Sequence, residues 1–362
     1  MSGRDLLIVT GPEIQGLLQG RERELSDAVE RAYRQHAAGE TSLPHSTFLH
    51  FPEQPRNRII ALPAYLGGGR PVAGIKWIAS FPANSESGLD RASAVLVLNS
   101  ADTGVPEAIL EGSIISAKRT AASALLAAKC LTQEPPPSIG VIGCGLINAE
   151  ILRFLRTAFA PRTVVLFDKE PEKAARFAER VRGFLSGAQV VVAEEATDVL
   201  RAAPLVSIAT TASEPHIESL SRCPAGATIL HISLRDLSVS SILSSDNVVD
   251  DVDHVCRART SVHLAEEATG SRDFIRCNLG EILLGEKPSR RDLSSTVVFS
   301  PFGLGILDLA VGRLVCHLAA ERGIGTRIGS FLPEPWLTSS AQPAANASAT
   351  HRVEGPRGSG GP

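Results

Sequence analysis

Residues 139–148 read Ile-Gly-Val-Ile-Gly-Cys-Gly-Leu-Ile-Asn, and this stretch constrains the fold more than any other. An apolar run of strand length enters Gly143-x-Gly145. The segment that follows places Ile147, Ile151, Leu152, Leu155 and Phe159 at helical spacing. Strand, glycine turn and helix in that order make a dinucleotide-binding βα turn. Gly143 permits the tight bend, and Gly145 lets backbone approach a pyrophosphate seated on the positive end of the helix. Asn148 stands where such turns carry a third glycine. Pro135-Pro136-Pro137 forbids helix immediately upstream and marks a boundary.

The pattern after the prolines alternates strand and helix, as a parallel sheet does. Its next strand, Thr163 to Phe167, ends in Asp168, 25 positions beyond Gly143. A carboxylate there accepts hydrogen bonds from adenosine ribose hydroxyls and favours NAD over NADP. Asp168 also suits a cap on a helix starting near Pro171. Further strands at Leu205 to Thr211 and Thr228 to Ser233 carry Thr210 and Asp236 to the same sheet edge, where cofactor and substrate meet. Thr210 is a cofactor contact on this reading. Asp236 suits a base, and equally a turn or cap before Ser238.

Before the prolines, Leu25 to His36 has helical periodicity. Ile59 to Leu66, Val72 to Ala79 and Ala92 to Leu98 read as strands of an antiparallel sheet, and Arg119 to Leu131 as an alanine-rich helix. Six of the 36 basic residues are lysines, and one of them, Lys76, lies between apolar strand residues Ile75 and Trp77. That placement is costly unless the ammonium has an anionic partner or snorkels to an exposed face. Arg119, at the start of its helix, has the planar fork suited to a carboxylate.

Composition narrows the function classes. With 36 basic against 39 acidic side chains the net charge is -3, which leaves no global positive field for nucleic acid. No apolar run approaches the roughly 18–20 residues of a membrane span. The cysteines are never closer than 14 positions, so neither a metal knuckle nor a dithiol redox pair is expected. His263, Glu266 and Glu267, and the run Asp246, Asp250, Asp251 and Asp253, lack metal-ligand spacing and read as solvated loops and caps. No metal site is expected. The start of the chain lacks a secretory pattern, so a cytoplasmic location is expected.

Several stretches together resemble the ornithine cyclodeaminase/μ-crystallin family: Lys76-Trp-Ile-Ala-Ser-Phe-Pro-Ala-Asn84, Arg119-Thr-Ala-Ala-Ser, the Gly143 turn, and Ser300-Pro-Phe-Gly-Leu-Gly-Ile-Leu-Asp308. Residues 43–49, 88–95, 110–117 and 231–236 are most similar to its N-(2-amino-2-carboxyethyl)-L-glutamate dehydrogenase branch, which makes 2,3-diaminopropionate for siderophores and peptide antibiotics. The resemblance implies that Lys76 contacts the substrate carboxylate and imine region and that Arg119 clamps the α-carboxylate. It implies that Asp236 handles the amine proton or attacking water. Leu146, Ile147, Asp168, Thr210, Ser233 and Ser300 would line NAD beside Gly143 and Gly145. A substrate with three carboxylates calls for further cations, for which Arg58, Arg91 and His45 are candidates. His45 stands where a family arginine commonly follows the proline, with His50 nearby, and residues 57–63 lack the acid of the cyclodeaminases. Both departures argue against ornithine cyclisation.

The expected fold class is α/β. A Rossmann NAD-binding domain over 131–308 joins an α+β substrate and dimerisation domain built from 1–130 and 309–337, and a disordered tail covers 338–362. The expected partner is a small acidic amino-acid conjugate, with a homodimer as the assembly. The alternatives on this scaffold are ornithine cyclodeaminase, alanine dehydrogenase, a ketimine reductase, or a non-catalytic dinucleotide binder like the crystallins.

Overall fold

The computed structural model describes residues 5–185 and 187–333. The tail expected over 338–362 lies outside them. Two eight-stranded sheets organise the chain.

The first sheet runs Thr326–Ile328, Leu6–Val9, Pro106–Glu111, Ala92–Asn99, Val72–Ser80, Arg58–Leu66 and Thr41–Ser42, with Thr47–His50 also paired to Arg58–Leu66. Its neighbours are antiparallel except Leu6–Val9 against Pro106–Glu111, which is parallel. The late strand Thr326–Ile328 closes one edge by pairing with Leu6–Val9, so both ends of the described chain belong to one sheet.

The second sheet is wholly parallel, in the order Gln189–Val192, Thr163–Phe167, Ser138–Ile142, Leu205–Ile208, Thr228–His231, Val297–Ser300, Asp246–Val249 and Ile275–Asn278. The chain winds outward from Ser138–Ile142 on one side and then resumes at Leu205–Ile208 on the other. The Gly143 turn therefore sits at the topological switch point, where open α/β sheets bind ligands. Its central strands are buried on both faces, which explains their near-continuous apolar runs. The expected α/β class is the one observed.

Helix Gly112–Leu131 joins the halves. It packs against Glu22–Ala37 and Gly305–Arg322 on one side and Leu146–Leu155 on the other. Its alanines Ala121, Ala124, Ala127 and Ala128 are fully buried and let the neighbouring helices approach closely. The helix begins earlier than expected, because Glu111 accepts the N–H groups of Ser113 (2.6 Å) and Ile114 (3.1 Å) as an N-cap. Arg119 consequently lies inside the helix rather than at its start. The strands expected to reach Thr211 and Ser233 end at Ile208 and His231, which leaves Thr210 and Ser233 in loops.

Two aspartates of the acidic run are not solvated. Asp246 is 1% exposed and pairs with Arg276 at 2.6 Å. Asp250, also 1% exposed, accepts the backbone N–H groups of Phe302 (2.8 Å) and Gly303 (2.6 Å). A buried loop needs acceptors for its N–H groups, and a carboxylate from the adjacent strand supplies them.

Candidate active site

The glycine turn has the geometry its sequence requires. Gly143 has φ +91°, and a Cβ there would stand 2.4 Å from the Ala209 carbonyl oxygen. Gly145 caps helix Leu146–Leu155 without any side-chain bond, and space for a Cβ is open around it. Leu146 is 55% exposed beside that space, and Ile147 is half-buried against the core. Asn148, buried at the third glycine position, donates to the carbonyls of Ile142 (3.0 Å) and Gly143 (2.7 Å) and accepts from Ser207 (2.7 Å). It binds the helix to the turn with hydrogen bonds where a glycine would do so by close packing.

Asp168 accepts the Cys144 N–H at 2.8 Å and the Glu170 N–H at 3.0 Å. Each carboxylate oxygen keeps a lone-pair direction for a ribose hydroxyl. The N-cap of helix Pro171–Arg182 is Glu170, so Asp168 shapes the turn rather than capping that helix. An exposed helix start, a glycine cradle and an acid at the next strand end fit a dinucleotide.

Across the switch point, Asp236 is fully buried. Thr210 donates to one of its oxygens and Ser233 to the other, at 2.5 Å for Ser233. His231 Nε2 lies 3.4 Å from Asp236, and His231 Nδ1 lies 3.0 Å from Ser300 Oγ. Burial pushes the Asp236 pKa up, but His231, Ser233 and Thr210 more than offset it and hold the carboxyl below its ordinary range. Asp236, expected as a base, is thus tied to Thr210, to Ser233 and to His231, which in turn reaches Ser300. The half-exposed His216 stands 3.9 Å from Asp236 Oδ1, the oxygen that accepts from Thr210.

The substrate-side cations converge on a residue not singled out from the sequence. Lys76 Nζ donates to Asp308 Oδ2 at 2.7 Å, and Arg119 Nε to Asp308 Oδ1 at 3.2 Å. Ser116 Oγ accepts from Lys76 at 3.2 Å and from Arg119 at 3.4 Å. Lys76, Arg119 and Asp308 are all buried. Burial and the neighbouring Arg119 push the Lys76 pKa down to about 8, with Asp308 opposing. Gly303, at φ +95°, lets the Arg119 guanidinium pass, because a Cβ would lie 2.7 Å from Nη1. The segment from Ser300 to Asp308 thus runs from the dinucleotide edge directly to the Lys76–Arg119 pair.

Among the described residues, no hydrogen bond joins the remaining candidates to the Lys76–Arg119–Asp308 cluster. Arg58 and Arg91 neighbour each other at one end of the first sheet, both depressed in pKa by burial. His45 is exposed and meets His254 edge-on at 5.4 Å, whereas His50 stands opposite Arg58 in the strand ladder. Asp308 lies within an apolar helix and signals itself only through the motif that contains it. His231 reads as one more buried strand position. Among the described residues no group of three or more potential ligands is placed to hold a metal ion, and no helix is long and apolar enough to cross a membrane.

Residues 12–323 match the profile of the ornithine cyclodeaminase/mu-crystallin family. The chain belongs to that family. The N-((2S)-2-amino-2-carboxyethyl)-L-glutamate dehydrogenase of Staphylococcus aureus is 29% identical over 337 residues, covering 91% of this chain and 99% of that protein. The Δ(1)-pyrroline-2-carboxylate reductase of Thermococcus litoralis, solved with NADH and L-proline, superposes with a TM-score of 0.83 at 26% identity, over 89% of this chain and 100% of that one. An archaeal alanine dehydrogenase dimer with bound NAD gives a TM-score of 0.81 at 27% identity, over 90% and 99% of the two chains. The family read from the sequence is the one the chain belongs to.

Proposed function

We propose that the protein is an NAD-dependent oxidoreductase acting on the CH–NH bond of N-(2-amino-2-carboxyethyl)-L-glutamate. The products are 2-oxoglutarate and L-2,3-diaminopropionate, a precursor for siderophore or peptide-antibiotic assembly. The observation that carries this reading is the buried Lys76–Arg119 pair on Asp308, joined by a short segment to the Gly143 edge. Relatives named for NAD- or NADH-linked chemistry on amino acids support the reaction class.

Gly143, Gly145, Leu146, Ile147 and Asp168 would hold NAD, which would supply the hydride acceptor. Arg119 presents its fork to the α-carboxylate and so fixes the substrate Cα. Lys76 takes the proton from the secondary amine as the Cα–H hydride leaves, which yields an imine on the substrate. Water then adds to the imine carbon, one of its protons passing to the nitrogen. Lys76 returns its proton to that nitrogen, the C–N bond breaks as the hydroxyl oxygen becomes the ketone oxygen of 2-oxoglutarate, and the hydroxyl proton is released to water. Asp236 fixes Thr210, Ser233 and Ser300 at the cofactor edge.

An acidic substrate is favoured over alanine or proline by Arg58 and Arg91, which exceed what one α-carboxylate needs. Assembly as a homodimer is supported by an apolar face on the first sheet. Leu49, Tyr65, Trp77 and Val95 are all exposed and share the face opposite Lys76. An exposed patch of this kind marks an interaction site, and the alanine dehydrogenase neighbour is a dimer.

The test is NADH formation across a panel of the conjugate, alanine, proline and ornithine, with products identified by mass. The conjugate is expected to exceed the others in kcat/KM by at least a hundredfold. A preference for alanine, proline or ornithine overturns the substrate assignment, and no turnover of any of them points to a binder.

A further inference from the structure

Arg58 of the first sheet lies within electrostatic reach of Arg91 and of Arg235 from the second sheet. Arg58 opens strand Arg58–Leu66 opposite Ser80, and its Nε is buried with no hydrogen-bond partner. Arg91 donates from Nε to Ser80 Oγ at 3.3 Å and lies close enough to Arg58 to depress its pKa. Arg235 comes from the loop of the second sheet, immediately before Asp236. Burial lowers its pKa, and Arg58 lowers it further. Among the described residues, no acidic group bears on any of these arginines. The chain carries 39 acidic residues, so the like-charge cluster does not arise from a shortage of counter-ions. Gathering desolvated guanidinium groups is unfavourable unless an anion joins them.

The loop is shaped to hold Arg235 in place. Arg235 donates to the carbonyls of Arg259 (3.0 Å) and Ala258 (2.6 Å). Ala258 and Arg259 both have φ 54°, and Leu234 has φ 73°. Non-glycine residues rarely adopt this conformation, and they keep it where surrounding bonds over-determine it. The guanidinium is thus fixed before any ligand arrives. Lys76 and Ser80 lie on one face of strand Val72–Ser80, so the arginines sit roughly 13 Å along the sheet from Lys76 at ~3.3 Å per residue. Arginine side chains and the arm of a five-carbon diacid can span that interval.

We infer that Arg58, Arg91 and Arg235 form a second anion site, separate from the Lys76–Arg119 pair, which takes the distal carboxylate of a dicarboxylic substrate. Arg235 is its specificity-determining residue, because it ties that carboxylate to the loop that carries Asp236. This inference rests on the acidic-substrate reading above and deepens it.

The test is calorimetric titration of the NAD-loaded protein with 2-oxoglutarate and with 2-oxopentanoate, which has the same chain length but no distal carboxylate. The wild type is expected to bind 2-oxoglutarate at least tenfold more tightly, and Arg58→Gln and Arg235→Gln each to reduce that ratio below threefold. The buried Arg58 Nε has no hydrogen-bond partner, so its variant tests the site without disturbing the loop. Equal affinity for both ligands in the wild type, or a preference that survives in both variants, overturns the proposal. A wild type that discriminates between the ligands yet fails to oxidise the conjugate keeps the anion site and removes only the substrate assignment.

Discussion

Lys76 and Arg119 donate to opposite oxygens of one buried carboxylate, that of Asp308, and Lys76 reaches it across 232 positions of sequence. Two cations of the substrate side are thereby held by one anion. While Lys76 is protonated, a substrate carboxylate meeting them finds a site with net positive charge.

The first prediction concerns that carboxylate. Asp308→Asn leaves two buried cations uncompensated and lowers stability by about 3–5 kcal/mol. Urea unfolding of the ligand-free protein measures it. A loss under about 1 kcal/mol means the pair is solvated or charge-neutral without Asp308.

Lys76 gives a pH signature. Its pKa of about 8 makes kcat/KM for oxidation rise with pH up to about 8 and level off beyond, since the neutral amine must take the proton. Lys76→Ala is expected to abolish turnover while NAD affinity changes less than threefold. Loss of both together would make Lys76 structural.

Asp168 is expected to govern the cofactor alone. Removing hydrogen bonds to a charged acceptor costs about 1.5–3 kcal/mol, so Asp168→Ala raises the KM for NAD by roughly 10- to 100-fold with little change in kcat. Steady-state kinetics with NAD varied decides this, and an unchanged KM contradicts the ribose contact.

Asp250 links stability to pH. Burial raises its pKa from an ordinary 3.8 to about 6, against the lowering effect of the Gly303 and Phe302 N–H groups. The folded state therefore binds the proton more tightly than the unfolded chain. Its stabilising contribution is complete below about 3.8 and is lost as pH rises through about 6. Relative to Asp250→Asn, the wild type should lose up to roughly 3 kcal/mol between pH 4 and 7. Denaturant melts of both proteins across that range test it, and a constant difference contradicts it.

The outer face of the first sheet predicts assembly. Trp77→Glu, placed opposite Val95 in the ladder, should convert a dimer to monomers in sedimentation velocity without loss of secondary structure. An unaltered sedimentation coefficient places the interface elsewhere.

The second sheet was legible because its signals are local. A parallel sheet sends every strand end to one edge, so Asp168, Thr210 and Asp236 could be placed from short apolar runs alone. The chemistry around them was less legible. His231 looks like a core position, and only the three-dimensional approach of Ser300 and Asp236 gives it polar partners. Asp246 and Asp250 looked solvated because nothing local announces the Arg276 guanidinium or the N–H groups of Phe302 and Gly303 that bury them. Lys76 could be flagged as an unusual strand residue. Its partner Asp308 could not, because the pairing depends on how helix Gly305–Arg322 crosses the first sheet.

The most direct measurement is the stoichiometry of one reaction. Purified protein, excess NAD and a limiting amount of N-(2-amino-2-carboxyethyl)-L-glutamate are incubated to completion, and NADH, 2-oxoglutarate and 2,3-diaminopropionate are quantified. The account predicts equal molar amounts of all three. NADH without 2-oxoglutarate, or no NADH at all, contradicts it.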